Sequence, residues 1–278
     1  MKITYLGTGA AEGVPAVYCN CETCRAARAM KGREIRTRTQ VLIDDVLSVD
    51  YPPDAYAHSL RFGTDLSAIS DLLVTHTHMD HFYAHDFVLR GYRYACAMTQ
   101  PVLRIYGNDE VRKVMAECTR REMREDVRTG IEIALAEPYR PFRAGAYDVT
   151  PFPAVHTRDE ISLLYLIERD GKAYLHLHDT GFPTEGMFLY LKENGKRVSL
   201  VSLDCTFLDR APSSGRHMGL RENGMVADRL RHDGVAGGDT AFVITHFSHN
   251  SDPLSGRAER LAAERGFVAA YDGMTLEI

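Results

Sequence analysis

Short apolar runs alternate with polar turns along the whole chain, and their spacing predicts the secondary structure. Runs that alternate apolar with polar residues, or that stay apolar over a few residues, are typical of buried strands. The predicted strands cover residues 2–7, 39–44, 46–50, 68–76, 101–107, 147–155, 162–168, 172–179, 197–204 and 240–246.

Apolar residues at helical spacing predict helices between some of these strands. The predicted helices cover residues 53–62, 80–95, 108–123, 183–195, 220–234 and 252–266. Two of them end on Gly195 and Gly266, where a helix C-terminus is expected. Several neighbouring strands have no helix between them, so the order favours a layered α/β domain over a strictly alternating doubly wound fold. We expect sheets inside, helices outside and a single domain over residues 1–278.

Composition and charge narrow the functional classes. Hydrophobic residues make up 45% of the chain, which is enough for a full core, and the net charge of −5 argues against non-specific nucleic-acid binding. A local basic cluster could still hold a small anionic substrate. No apolar run approaches the roughly 18–20 residues of a membrane span, and the N-terminus resembles a strand more than a signal peptide. We therefore expect a soluble, cytoplasmic protein without a membrane partner.

The six cysteines divide into one cluster and three scattered residues. Cys19, Cys21 and Cys24 lie within six residues of one another. A disulfide-stabilised protein would be shorter and richer in cysteine, so three crowded thiols indicate metal ligands. A reactive or incidental cluster is the alternative. The scattered cysteines, which we expect to be small buried hydrophobic residues, are Cys96, Cys118 and Cys205.

Histidine and aspartate gather at the C-terminal ends of the predicted strands. Layered α/β folds bind their ligands at strand ends, so this pattern predicts one common site. The residues concerned are Asp50, His76, His156, Asp179, Asp204 and His246.

The stretch "THTHMDH", residues 75–81, is the strongest signal of metal binding. It offers imidazole and carboxylate ligands, which suit zinc, iron and manganese. His76 and His78 are two residues apart, so an extended backbone would point both in the same direction. Asp80 and His81, at the start of the predicted helix 80–95, could turn toward a second ion. The alternative is a polar loop with unrelated histidines.

This H-x-H-x-D-H stretch resembles the hallmark of the metallo-β-lactamase-fold hydrolases, and the resemblance extends over nearly the whole chain. It implies a four-layer αββα sandwich and two divalent catalytic ions, either zinc, manganese or iron. It also implies that a metal-bridging hydroxide attacks phosphorus or a carbonyl carbon. Asp50 would orient the ligand loop from outside the metal shell. The implied ligands are His76, His78 and His156 for one ion, Asp80, His81 and His246 for the other, and Asp179 as the bridge.

Two of these positions have alternatives. His156, in "AVHTRDE", could be an ordinary surface histidine. Asp179, in "YLHLHDTG", competes with His176 and His178, which lie on one face of the predicted strand and could form a ligand pair. The resemblance favours Asp179 and leaves the two histidines to line or pack the site.

The N-terminal stretch "GTGAAEGVPAVYCNCETC" narrows the resemblance to the PhnP-type phosphodiesterases. That family hydrolyses a phosphoribosyl cyclic phosphate and uses three cysteines at this spacing for a structural zinc. The resemblance implies His249 as the fourth zinc ligand. It also implies that His217, in "DCTFLDRAPSSGRHMGL", acts near the phosphate as a general acid. The stretch "ITHFSHN" would then serve two metals, with His246 at the catalytic centre and His249 at the cysteine site.

The sequence departs from the family near the predicted helix 80–95, which carries His85, Arg90 and Arg93, and in the long charged segment 108–141. These departures leave the substrate open. We expect Asp80 and His217 to be needed for hydrolysis of a small cyclic or nucleotide-like phosphodiester. Alternatives are a lactone, ester or thioester hydrolase on the same metals, an enzyme of RNA 3′ processing, and a non-catalytic metal-binding accessory protein. A homodimer is also compatible with the sequence.

Overall fold

The computed structural model describes residues 1–278 and contains two seven-stranded sheets. In the first sheet the strands lie in the order β14-β1-β2-β3-β4-β5-β6. Its strands are β1 (Lys2–Gly7), β2 (Gln40–Ile43), β3 (Leu47–Val49), β4 (Asp71–Leu73), β5 (Leu103–Gly107), β6 (Ile131–Leu135) and β14 (Met274–Glu277). From β3 to β6 the neighbours are parallel, whereas β14, β1, β2 and β3 pair antiparallel.

The second sheet has the order β13-β12-β11-β10-β9-β8-β7. Its strands are β7 (Phe142–Ala144), β8 (Tyr147–Pro153), β9 (Leu163–Arg169), β10 (Lys172–Leu177), β11 (Val198–Asp204), β12 (Ala236–Thr245) and β13 (Val268–Ala269). The strands β7 to β10 form an antiparallel meander, and β10 to β13 are parallel. The C-terminal ends of parallel neighbouring strands lie at the same edge of a sheet. The strands β10 to β13 therefore end close together.

Helices cover the outer faces of both sheets. The α-helices are α1 (Glu22–Met30), α2 (Ala55–Phe62), α3 (Glu110–Thr119), α4 (Glu125–Arg128), α5 (Glu185–Glu193), α6 (Leu220–His232) and α7 (Ser255–Ala263). Short 3₁₀ helices occupy Gly32–Glu34, Leu66–Ala68, Ala84–Leu89 and His249–Ser251. None of the helices combines the length and apolarity that crossing a membrane would require.

Alternation along single strands builds the layers. In β9, Tyr165 and Ile167 point into the core between the two sheets, whereas Leu164 and Leu166 point outward to the core beneath α5, α6 and α7. On the other side, a third core packs α3 and residues 84–89 against the first sheet. Because these strands are buried on both faces, they appear in the sequence as continuous apolar runs. The predicted four-layer αββα sandwich is thereby confirmed.

The predicted helix 80–95 is wrong. Residues 79–81 form a turn, Phe82 forms a β-bridge with Tyr51, a short 3₁₀ helix covers Ala84–Leu89, and Tyr92 adopts a left-handed backbone with φ of 52°. Ala84, Phe87 and Val88 are buried, as the apolar spacing indicated. A 3₁₀ helix can bury residues at this spacing on one face nearly as well as an α-helix does. Asp80 therefore lies in a turn and does not begin a helix.

The charged segment 108–141 is part of the sandwich. It contains α3, α4 and β6, and β6 pairs in parallel with β5 at the edge of the first sheet. Its charges lie on exposed faces, as the i,i+3 pairs Lys113–Glu110 and Arg128–Glu125 illustrate. The sequence also left α1, α4, β6, β7, β13 and β14 unassigned.

A fully buried arginine joins the two ends of the chain. The Arg36 side chain is 1% exposed, donates to the carbonyls of Pro253 and Ala270, and lies over the Phe247 ring at 4.4 Å. Its backbone pairs with Val14. Arg36 thus holds residues 14–24, here called the cysteine loop, beside the segment that follows β12.

Arg36→Met is expected to lower the free energy of unfolding by about 3 kcal/mol, because two buried carbonyls would lose their donors. Urea denaturation measures the change. Arg143→Met is the matched control: the exposed Arg143 guanidinium pairs with the exposed Asp148 at 3.1 Å, so its loss should change stability by less than about 0.5 kcal/mol. Equal effects of the two substitutions would contradict the assigned role of Arg36.

Candidate metal centre

Strand ends from both sheets meet at one edge and carry the predicted site residues. Asp50 follows β3, His76 and its neighbours follow β4, and His156 lies between β8 and β9. Asp179 follows β10, and His246 follows β12. The gathering predicted from the sequence is therefore present in the fold.

Three of these residues have backbones in the left-handed region. The φ angles are 63° at Asp50, 51° at Asp179 and 61° at His246. Non-glycine residues rarely adopt this conformation, and each instance costs of order 1–3 kcal/mol unless the surroundings impose it. The left-handed conformation turns the chain sharply after each of these three strands, and the three turns surround one site.

The first donor group contains His76, His78, His156 and Asp179, whose donor atoms lie within 4.8 Å of one another. His76 Nε2 is 2.9 Å from His78 Nδ1 and 3.4 Å from Asp179 Oδ2. His156 Nδ1 is 3.2 Å from Asp179 Oδ1. Burial lowers the pKa of His156 to about 4 and that of His76 well below its usual value, so both rings favour the neutral form that binds metal.

The second donor group contains Asp80, His81, Asp179 and His246, all buried and again within 4.8 Å. His81 Nε2 is 3.2 Å from Asp80 Oδ2 and 3.1 Å from Asp179 Oδ2. His246 Nε2 is 3.9 Å from the same Asp179 oxygen. Asp179 belongs to both groups, which is the position that a bridging carboxylate needs. These are the two groups that the resemblance implied.

Unpartnered polar atoms test whether the donors suit metal ions. His81 Nε2, His156 Nδ1, His246 Nε2 and Asp179 Oδ1 are buried without a hydrogen-bond partner. Buried polar atoms are nearly always paired, so several orphans converging on one spot indicate a missing ligand. Imidazole and carboxylate donors in this arrangement fit zinc, manganese or iron.

Two buried aspartates orient the histidines of the second group. Asp50 Oδ2 accepts from His81 Nδ1 at 2.7 Å, and Asp50 Oδ1 accepts from the Thr75 amide at 2.8 Å. Asp204 Oδ2 lies 3.3 Å from His246 Nδ1. In each case the carboxylate engages Nδ1 and leaves Nε2 facing the donor group, as carboxylate–histidine pairs at metal sites do.

Sequence reasoning placed Asp204 at a strand end but gave it no role. Its partner is visible only in the sheet register, because β11 and β12 are parallel and Asp204 lies opposite Thr245. That register places Asp204 beside the next residue, His246. Hydrogen bonds from the Thr206 and Met218 amides fix the other carboxylate oxygen at 3.1 and 2.8 Å. In the sequence, this pairing was signalled by the two predicted strands that end in "SLD" and "VIT".

Glu160 is a second residue that sequence reasoning missed. Its carboxylate accepts from the Thr77 amide at 3.1 Å and from Asn108 Nδ2 at 2.5 Å. The contact ties the loop that carries His76 and His78 to the loop that carries His156. No local pattern in "TRDEIS" indicates this contact across the chain.

His217 lies next to Asp179, the aspartate that both donor groups share. Its Nδ1 is 3.0 Å from Asp179 Oδ1 and 3.2 Å from Asp204 Oδ2, and its side chain is 23% exposed. Burial opposes protonation, but the two carboxylates prevail and raise the pKa of His217 to about 10. The ring is therefore within reach of both solvent and the donor groups, and the role of His217 near the reacting phosphate stays a prediction.

His176 and His178 lie below the centre, inside the sandwich. His178 Nε2 is 2.6 Å from Ser202 Oγ, and His176 Nδ1 is 3.0 Å from the Tyr174 hydroxyl. Burial lowers the pKa of His176 to about 3. Neither ring joins a donor group with Asp179, which agrees with a packing role for the pair.

The cysteine loop forms a separate donor group with His249. Cys19, Cys21, Cys24 and His249 have donor atoms within 4.8 Å, and Cys21 Sγ is 3.4 Å from His249 Nδ1. Hydrogen bonds from the Cys24 amide and from His249 lower the pKa of Cys21 to about 6, whereas burial raises that of Cys24 to about 11. Three thiols and one imidazole form the closed set that a structural zinc prefers.

A short β-bridge separates the two histidines of "ITHFSHN". Phe247, between them, donates its amide to the Thr8 carbonyl at 2.9 Å and accepts from the Ala10 amide at 3.0 Å. His246 therefore points toward Asp179 and Asp204, and His249 points toward the cysteines. The predicted division of the two histidines between two sites matches this arrangement.

Residues 39–247 match the family described as "Beta-lactamase superfamily domain". The match spans more than half of the chain. This protein belongs to that superfamily. The family and fold predicted from the H-x-H-x-D-H stretch are thereby confirmed.

Two curated proteins resemble the chain. Coenzyme PQQ synthesis protein B of Methylorubrum populi is 24% identical over the full length of both chains. An octanoyltransferase of Porphyromonas gingivalis is 27% identical over 165 residues, which cover 57% of this chain. The aligned region spans only 31% of that octanoyltransferase.

Solved structures extend the comparison. A diphosphatase from the PhnP family superimposes with a TM-score of 0.74 at 23% identity, covering 100% of this chain and 97% of the other. The short form of human tRNase Z superimposes with a TM-score of 0.69 at 17% identity, covering 100% and 99% of the two chains. Both therefore share the fold with this member of the superfamily.

His249→Ala is expected to remove one tightly held zinc per chain and to leave the second donor group in place. A hundredfold loss of zinc affinity would lower the free energy of unfolding by about 2.7 kcal/mol at fixed zinc concentration. His246→Ala should instead weaken metal binding at the second donor group and leave the zinc of the cysteine site in place. Elemental analysis with thermal unfolding measures both. Loss of the same ion in the two variants would show that the two histidines share one site.

Proposed function

We propose that this superfamily member is a metal-dependent hydrolase of a small phosphodiester, either cyclic or nucleotide-like. The observation that carries the proposal is His217, held by Asp179 and Asp204 at the edge of two converging donor groups. Hydrolysis of a substrate with a poor leaving group requires both a centre that supplies the nucleophile and a residue that donates a proton to the leaving group. The PhnP-family diphosphatase with a similar fold supports the choice of phosphorus chemistry.

The side chains present determine how metal ions would be held. His76, His78 and His156 would bind one ion, Asp80, His81 and His246 the other, and Asp179 both. Divalent ions bound there would supply Lewis-acid polarisation of a substrate oxygen and would lower the pKa of a coordinated water. Asp50 and Asp204 keep the Nε2 atoms of His81 and His246 turned inward, so the site is organised before substrate arrives.

His217 supplies the proton for the leaving group in this proposal. The flanking carboxylates favour the imidazolium form, and partial exposure allows the ring to regain a proton from solvent. Departure of an alkoxide needs that proton, whereas departure of a nitrophenolate does not. The two kinds of substrate therefore separate the role of His217 from that of the metal ligands.

Hydrolysis of a lactone, ester or thioester is the second candidate, because the same donors could polarise a carbonyl. His217 favours the phosphodiester, since a proton donor facing the leaving group matters most for alkoxide departure. The similarity in fold to tRNase Z favours a role in RNA processing, whereas the net charge of −5 argues against that role. A non-catalytic accessory role, suggested by the similar PQQ synthesis protein B, would leave the catalytic donors without function.

Protein loaded with Mn²⁺ or Zn²⁺ is expected to hydrolyse bis(p-nitrophenyl) phosphate, and Asp80→Ala should abolish turnover because the second donor group loses a ligand. A parallel panel of cyclic phosphodiesters and lactones, with elemental analysis of each preparation, tests the substrate class. Faster turnover of lactones than of any phosphodiester by the fully metallated protein would overturn the proposal.

His217→Gln should lower kcat by 10²–10⁴-fold on alkyl phosphodiesters and by less than about tenfold on bis(p-nitrophenyl) phosphate. The difference arises because only the alkoxide needs a proton as it leaves. His232→Gln, at a histidine of α6 whose side chain is 80% exposed, is the matched control and should leave both rates unchanged. A uniform loss on both substrates would assign His217 to metal binding instead.

A further inference from the structure

A chain of buried hydrogen bonds leads from α2 toward the second donor group. His58, in α2, has its Nδ1 2.7 Å from Gln40 Oε1, and Gln40 Nε2 donates to Ser48 Oγ at 3.2 Å. Ser48 Oγ in turn donates to the Asp50 carbonyl at 2.9 Å. None of these four residues is more than 1% exposed. The chain therefore joins α2, shielded from solvent, to the aspartate that accepts from His81.

The direction of each bond in this chain follows from its last acceptor. A carbonyl oxygen can only accept, so the single proton of the Ser48 hydroxyl points to Asp50. Ser48 Oγ must then accept from the Gln40 amide nitrogen, and this turns the Gln40 oxygen toward His58. Burial lowers the pKa of His58 to about 4, so its neutral ring donates from one nitrogen only. That nitrogen is Nδ1, because it faces an oxygen that carries no proton.

The other ring nitrogen of His58 has a partner at the opposite end of the chain. Its Nε2 lies 2.7 Å from the Thr37 hydroxyl, which is also 2.7 Å from Asp272 Oδ2. Asp272 has two further donors, the Thr37 amide at 2.8 Å and the Thr8 hydroxyl at 2.7 Å. The Thr37 hydroxyl can therefore donate to His58, and the ring is held at both nitrogens.

The chain ends on a residue whose backbone is strained. Asp50 has a left-handed φ of 63°, and such a conformation persists only where the surrounding contacts impose it. Its amide donates to the Leu73 carbonyl at 2.8 Å, and its carbonyl accepts from Ser48. These two contacts fix the backbone on both sides of the Asp50 Cα atom. They thereby set the direction in which its carboxylate reaches His81 and Thr75.

We propose that His58 is a positioning residue for the second donor group. Its Nδ1 proton holds the Gln40 amide in the orientation that leaves the Ser48 hydroxyl to Asp50. Without that proton the amide can turn over, Ser48 can donate to the Gln40 oxygen instead, and the Asp50 carbonyl loses its donor. The inference rests on metal binding at the second donor group, which the proposed function also requires, and does not depend on the substrate.

Titration of the full-length protein with Mn²⁺, followed by electron paramagnetic resonance with zinc retained in the cysteine site, tests the proposal. Mn²⁺ prefers carboxylate to thiolate ligands, and the ion lost in Asp80→Ala identifies the second donor group. His58→Asn places its amide nitrogen where Nδ1 lies and should keep the affinity for that ion within about threefold, whereas His58→Gln places its amide nitrogen where Nε2 lies and should weaken binding about tenfold or more. Ser59→Ala is the control and should change nothing, because the Ser59 hydroxyl donates to the Tyr56 carbonyl of the same helix.

Ser48→Ala is a second test, because it removes only the last donor of the chain. It should weaken binding of the same Mn²⁺ ion about tenfold or more, and adding His58→Gln should cause no further loss, since the effect of His58 passes through Ser48. Thermal unfolding shows whether each variant is folded.

Three results would overturn the role of His58: equal affinities in His58→Asn and His58→Gln, unchanged affinity in Ser48→Ala, or losses that add in the double variant. Failure of the unaltered protein to bind Mn²⁺ or Zn²⁺ at the second donor group would overturn the proposed function as well.

Discussion

The carboxylate of Asp179 is the contact on which both donor groups depend. One oxygen faces His76 and His81, and the other faces His156 and His217. A group surrounded by so many imidazoles is held strongly ionised, and the pKa of Asp179 lies well below its usual range despite complete burial. Such a charge is costly to bury without counterions. The fold meets that cost by bringing strand ends from two sheets to a single point.

Much of this arrangement could be predicted from the sequence, because its signals are local. The strands were recognisable from apolar periodicity, and the donors from their position where each strand ends. Asp179 lies two residues after β10, and His246 directly follows β12. The cluster of Cys19, Cys21 and Cys24 likewise lies within one short stretch. Ligand residues at such spacing indicate a metal site without any knowledge of the tertiary structure.

What the sequence could not predict depends on contacts between distant segments. Asp204 acquires its partner His246 through the parallel register of two strands, and Glu160 reaches Thr77 across 83 positions. The segment 80–95 kept the apolar spacing of a helix yet folded into turns, because packing against the first sheet satisfied the same residues. A sequence pattern does not show strand registers or contacts between loops. It also does not show where tertiary packing overrides a local preference.

The cysteine site joins residues that are far apart in synthesis. Cys21 and His249 are separated by 228 positions, so the thiols leave the ribosome long before the imidazole. A nascent chain carries three soft ligands and no means of closing a tetrahedral site until nearly all of it has emerged. A zinc ion held by all four residues would therefore distinguish a chain synthesised beyond residue 249 from one that terminated earlier.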